Sequence, residues 1–60
     1  MFVIKMKIQD RDNRNIEWYL QGLDSRPLRF ETYGVAEREA FYQKQKNSTV
    51  DGFSCVVLEE

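Results

Sequence analysis

The feature that most narrows the folds open to this chain is the absence of any staple. Sixty residues carry one cysteine and no histidine. One cysteine cannot close an internal disulfide, and this pair of counts cannot furnish a structural zinc site, which takes four nitrogen or sulfur ligands. A chain of this length buries only about 60% of its unfolded surface. The fold must therefore rest on apolar burial and, where that falls short, on a partner, including a second copy of itself. Hydrophobic residues at 42% and aromatics at 13% suit a folded domain better than a disordered one. Residues 1–60 are expected to form a single small domain, with no linker, internal repeat or low-complexity stretch.

Alternation organises the first third of the chain. Phe2, Ile4, Met6 and Ile8 alternate with Val3, Lys5, Lys7 and Gln9, which is the period of a strand with one face buried. Asp10 to Asn15 is wholly polar and rich in the Asp and Asn that favour turns. Alternation then resumes, with Ile16, Trp18 and Leu20 on one side and Glu17, Tyr19 and Gln21 on the other. Two alternating runs across a short polar loop predict a β-hairpin. Gly22 ends the second run, and Leu23 to Pro27 reads as irregular. Leu28 to Glu31 is either a minor strand or the approach to a helix.

Thr32 is placed to cap a helix running from Tyr33 to Gln45 or Lys46, its hydroxyl accepting from a free first-turn amide. Glu37 and Glu39 come early and Lys44 and Lys46 late, the order the macrodipole prefers. Asn47 to Thr49 closes the helix, and Asp51-Gly52 turns into a last strand, Phe53 to Leu58, whose facing is ambiguous. A helix between the second and third strands reverses the chain, so the three strands pair antiparallel in the order 2-1-3. The fold class is α+β, a ββαβ two-layer sandwich with one helix on one sheet face. The expected buried sheet face carries the even residues of both hairpin strands, with Trp18 as the largest contributor.

At about 100° per residue, Ala36, Ala40, Tyr33 and Phe41 share the expected core face of the helix. Val35 and Tyr42 fall on the far side, edged by Arg38 and Glu39. Tyr and Arg are enriched among the residues that dominate protein interfaces, so this patch is a candidate partner surface. In the 2-1-3 order both outer strands are edges. The second strand presents Glu17, Tyr19 and Gln21 with no proline or lysine to blunt pairing with another strand.

The chemistry the sequence can support is narrow. Without histidine, imidazole acid–base and triad mechanisms are excluded. Cys55 lies in a β-branched run with no basic neighbour in sequence, and reads as a buried small hydrophobe. Asp10-Arg11-Asp12-Asn13 opens like a calcium loop but lacks the glycine and later oxygen ligands that loop needs. No enzyme activity, cofactor or metal is expected. The net charge is −1, with six bases against four acids in residues 1–30 and three against six in residues 31–60. That balance disfavours nucleic acid, which draws a surplus of Lys and Arg. A sheet face of Lys5, Lys7 and Tyr19 remains as the alternative site for it, though stacking sheets use two or three aromatics. No apolar run approaches the ~20 residues of a membrane span. The N-terminal apolar run is too short for a signal peptide, so a cytoplasmic protein with a reduced thiol is expected.

The pattern Phe30-Glu31-Thr32-Tyr33, then Ala36-Glu37, Ala40-Phe41-Tyr42 and Gly52-Phe53, resembles small strand–strand–helix–strand accessory proteins of bacteriophages. Several of those bind and block a host enzyme. The resemblance covers residues 16–58 as pattern, and Gly34-Val35 departs from the acidic first turn of that pattern. It implies a non-enzymatic protein-binding module, in its narrower form an inhibitor that occupies a host enzyme or defence factor. The candidate partner-binding residues are Val35, Arg38, Glu39, Tyr42 and, on the sheet, Tyr19. The alternatives are a nucleic-acid accessory protein and a structural homo-oligomer, a homodimer in its simplest form.

Overall fold

Period-two patterning becomes two strands, β1 (Phe2–Gln9) and β2 (Asn15–Tyr19), paired antiparallel with Met6 opposite Trp18 and Ile8 opposite Ile16. The computed structural model describes all sixty residues. The hairpin closes through a tight turn in which the Asn13 amide donates to the Asp10 carbonyl at 3.0 Å and the Asp10 amide to the Arg14 carbonyl at 2.8 Å. Asn13 takes the left-handed conformation this turn requires, with φ 61°, a region Asn tolerates better than most residues.

The irregular segment expected after β2 is a second small hairpin of the same design. The Gly22 amide bonds to the Arg26 carbonyl, the Ser25 amide to the Gly22 carbonyl, and Ser25 repeats the positive φ at 62°. The returning chain bonds Leu28 back to Leu20, and Phe30 then exchanges two 2.8 Å hydrogen bonds with Phe2. Residues 28–31 thus form, in place of a minor strand, a single bridge that finishes the edge of β1 where β2 leaves it. Arg29 anchors the same segment to the C-terminal Glu60 by a 2.9 Å ion pair.

Helix α1 (Tyr33–Lys46) begins at Thr32, whose Oγ1 accepts from the Val35 amide at 3.3 Å. Lys44 and Lys46 occupy its last turn, while Glu37 and Glu39 fall beyond the first, which holds no acid. Strand β3 (Phe53–Glu59) lies on the other side of β1, antiparallel, giving the order β2-β1-β3. The α+β fold and strand order expected from the sequence are therefore those of the structure. The facing of β3 is settled by its register. Cys55 sits opposite Met6 and Val57 opposite Ile4, so Phe53, Cys55 and Val57 share the helix side with the even residues of β1.

The core is small. Ile4, Met6 and Ala40 form its centre, with Leu20, Phe30, Phe53, Cys55 and Val57 packed around them. Ala36 is also buried, and the two alanines let the helix approach the sheet. Two expectations about this core fail for one geometric reason. Trp18 is 38% exposed and Ile16 more so, while Phe41 is 61% exposed and Tyr33 about half. A helix about 10 Å across covers only two strands spaced about 4.8 Å apart. Here α1 packs on β3 and β1 and makes no substantial contact with β2. Trp18 and Ile16 face the helix side but lie beside the helix rather than beneath it. Tyr33, its ring edge-on to Phe2, and Phe41 lie toward the β3 side, where they line an open groove with Cys55 and Val56. On the opposite sheet face Val3 is buried, flanked by Tyr19, Pro27 and Leu58.

Candidate interaction surfaces

Helical spacing places Val35, Arg38 and Tyr42 in one row along the outer face of α1, since residues three and four apart are neighbours. The cap fixes where the row starts. Thr32 uses the Val35 amide, so the first turn is set and the Val35 side chain points to solvent. Val35 is 52% exposed and Tyr42 55%, with Arg38 exposed between them. The two ion pairs of the structure are Lys5 with Glu17 and Arg29 with Glu60, which leaves the Arg38 guanidinium free. Glu39 turns toward the sheet side of the helix, where it is half-buried and accepts from Gln43 Nε2 at 3.1 Å. It borders the row without projecting from it.

Tyr19 lies on the opposite side of the molecule. It is paired with Lys5 on the sheet face away from the helix, so the structure does not join it to the helix row. On that face Lys5 Nζ meets Glu17 Oε2 at 2.8 Å. The hydrogen bond and charge of Glu17 hold the Lys5 ammonium above its usual range, and Lys5 holds the Glu17 carboxylate below its own. One of the two lysines suited to phosphate is thereby engaged internally.

The free strand edges follow from the hydrogen bonds. The Leu20 amide donates inward to the Ile4 carbonyl. By the alternation of an antiparallel ladder, Asn15, Glu17 and Tyr19 turn their backbone groups outward on β2. The Gln9 amide donates to Gly52 on the β3 side, so Phe53, Cys55, Val57 and Glu59 turn theirs outward on β3. Above the β3 edge lies an open groove. Tyr33, Glu37, Phe41 and Lys44 of the helix line it with Cys55 and Val56 of the strand. Alternation and helical spacing carry no signal of this groove, which follows only from α1 lying over β3 and β1.

Cys55, expected as a buried small hydrophobe, is only partly buried, because it lies on the edge strand β3, though it packs against the core. Its Sγ donates to the Ala40 carbonyl at 3.3 Å. Burial pushes the thiol up from its ordinary pKa, with the Lys44 charge pulling partly back. Cysteine and carboxylate side chains nowhere gather into a group able to hold a metal ion, and no helix is long and apolar enough to cross a membrane. No protein-family model, characterised protein or solved structure matches the chain.

Proposed function

We propose that this chain is a non-enzymatic protein-binding module that acts by occupying the surface of another protein. The observation that carries the reading is the exposed row Val35, Arg38, Tyr42, with an unpaired guanidinium between two apolar side chains. An aromatic and an arginine beside an aliphatic anchor have the composition of interface hot spots. The row sits on the most regular element of the fold, so it is presented without a backbone ordering cost. The narrower form, a phage-type inhibitor of a host enzyme or defence factor, draws on the pattern resemblance of residues 16–58. The lone thiol of Cys55 suits a reducing cytoplasm. The nucleic-acid alternative is weaker, because Lys5 is held by Glu17 and Tyr19 is the sheet face's lone aromatic ring among Lys5, Lys7 and Glu17.

The test is affinity capture from host lysate with the wild-type chain and with Val35→Asp/Tyr42→Ala. Both side chains are exposed, so the variant keeps the fold. Loss of about 2 kcal/mol at a hot spot weakens binding roughly thirtyfold, enough to remove the captured protein. Equal capture by the double variant, or recovery of nucleic acid in its place, would overturn the reading.

A further inference from the structure

The folded chain leaves too much surface uncovered for its size. It exposes 4904 Å², where a folded monomer of this mass exposes about 4,100 Å². The excess is about 800 Å² on an elongated body of 35 × 20 × 20 Å, room enough for one partner's share of a standard interface. Exposed apolar side chains occur over much of the molecule, and three of them, Phe41, Tyr33 and Val56, each at least half exposed, border the β3 edge.

We infer that the β3 edge is the seam of a symmetric homodimer, in which β3 pairs antiparallel with β3 of a second copy to make a continuous six-stranded sheet. The strand's own sequence selects the occupant. Phe53–Glu59 has seven residues, so the register that uses all of them places Val56 on the two-fold axis. Phe53 then faces Glu59 of the second copy, Ser54 faces Leu58, Cys55 faces Val57, and Val56 faces itself. No pair sets like charge against like charge, because Glu59 is the one charged residue of the strand. The outward backbone groups of Phe53, Cys55, Val57 and Glu59 supply the matching donors and acceptors. The β2 edge serves less well, since it is shorter and carries Glu17 at its centre.

The helix side is complementary to itself as well. The helix runs antiparallel to β3. Tyr33 packs edge-on against Phe2, which pairs with Glu59, while the Ala40 carbonyl meets Cys55. Near the axis, therefore, lies the Ala40 level of the helix, with Glu37 on its N-terminal side and Lys44 on its C-terminal side. The two-fold carries each Glu37 to the side where Lys44 of the second copy lies. Between them the exposed Phe41 rings approach each other and are covered. The outer row of Val35, Arg38 and Tyr42 stays free, so the inference is independent of what that row binds.

The experiment is sedimentation equilibrium of the purified chain over a wide concentration range, with three variants. Wild type is expected at twice the 7.2 kDa chain mass. Val56→Glu sets two carboxylates face to face on the axis, while in the monomer it stands opposite Lys5. It should weaken dimerisation about tenfold or more with an unchanged circular dichroism spectrum. Glu37→Lys should weaken it too, and Glu37→Lys/Lys44→Glu should restore it; this pair lies on exposed helix positions and tests the seam even if Val56→Glu fails to fold. A wild-type mass of one chain at the highest concentration overturns the inference. So does a dimer indifferent to Val56→Glu and to the charge swap, which would place the contact elsewhere.

Discussion

Ile4 is the one large side chain with no exposed surface, and its truncation tests where the core lies. Ile4→Ala removes three carbons. At about 0.8 kcal/mol per buried methylene that is about 2.4 kcal/mol, and a residual cavity adds about 1–2 kcal/mol at about 24 cal/mol per Å³. The sum, about 3–4 kcal/mol, compares with a total stability of about 3–9 kcal/mol at 0.05–0.15 kcal/mol per residue. Ile4→Ala should therefore be largely unfolded or close to it, and Ile4→Val should cost about 1 kcal/mol. Trp18→Ala removes a larger side chain but one 38% exposed and outside the helix's cover, and should cost about 1–2 kcal/mol, below the range of a fully packed aromatic. Urea titrations followed by far-ultraviolet circular dichroism give the ranking directly. An unfolded Trp18→Ala beside a well-folded Ile4→Ala would refute the placement of the core under α1 and return it to β2.

Two glycines should respond in opposite directions. Gly34 sits in the first turn of α1 with nothing within 4 Å of an added Cβ, so Gly34→Ala should raise stability by about 0.5–1 kcal/mol. Gly52 has φ +76° and an added Cβ would lie 2.5 Å from the Gln9 carbonyl oxygen, so Gly52→Ala should lower the denaturation midpoint sharply. Cys55 should label with a thiol reagent far more slowly in the native chain than in urea, because its raised pKa and its bond to Ala40 leave little accessible thiolate. The Lys5–Glu17 pair has a lowered acid and a raised base. Its contribution is present above the ordinary carboxylate pKa of about 4.3 and lost as pH falls through Glu17's lower folded value. At the other end it is present below about 10.4 and lost as pH rises through Lys5's raised value. Glu17→Gln should flatten the acid limb of the stability profile, and high salt should shrink the difference between variant and wild type.

The sequence reports which way a side chain faces more readily than what covers it. Alternation placed Ile4, Met6, Ile16 and Trp18 on one sheet face, and the register agrees. It carries no information on how far one helix reaches across three strands, so the burial expected of Trp18 fails where α1 stops short of β2. The same gap explains Tyr33 and Phe41. Their angular positions near the two alanines were legible, but the edge of β3 beside them was not. Thr32 as cap and a helix end at Gln45 or Lys46 were readable because capping and helix-end charge are local chemistry, and the structure ends it at Lys46. The second hairpin was hidden because Ser25, with no glycine or asparagine to mark it, holds the left-handed position. The facing of β3 was unreadable from adjacent Val56 and Val57, and only pairing with β1 resolves it. Of the candidate surface residues, Val35, Arg38 and Tyr42 were legible as a row, Glu39 belongs to its inner border, and Tyr19 belongs to another face.

Nuclear magnetic resonance of the labelled chain bound to its captured protein tests the protein-binding reading most directly. The Val35 methyl and Tyr42 ring resonances should show the largest shifts on binding, with Tyr19 and the Lys5 and Lys7 side chains nearly unmoved. Shifts confined to Tyr19, Lys5 and Lys7, with Val35 and Tyr42 unchanged, would contradict it.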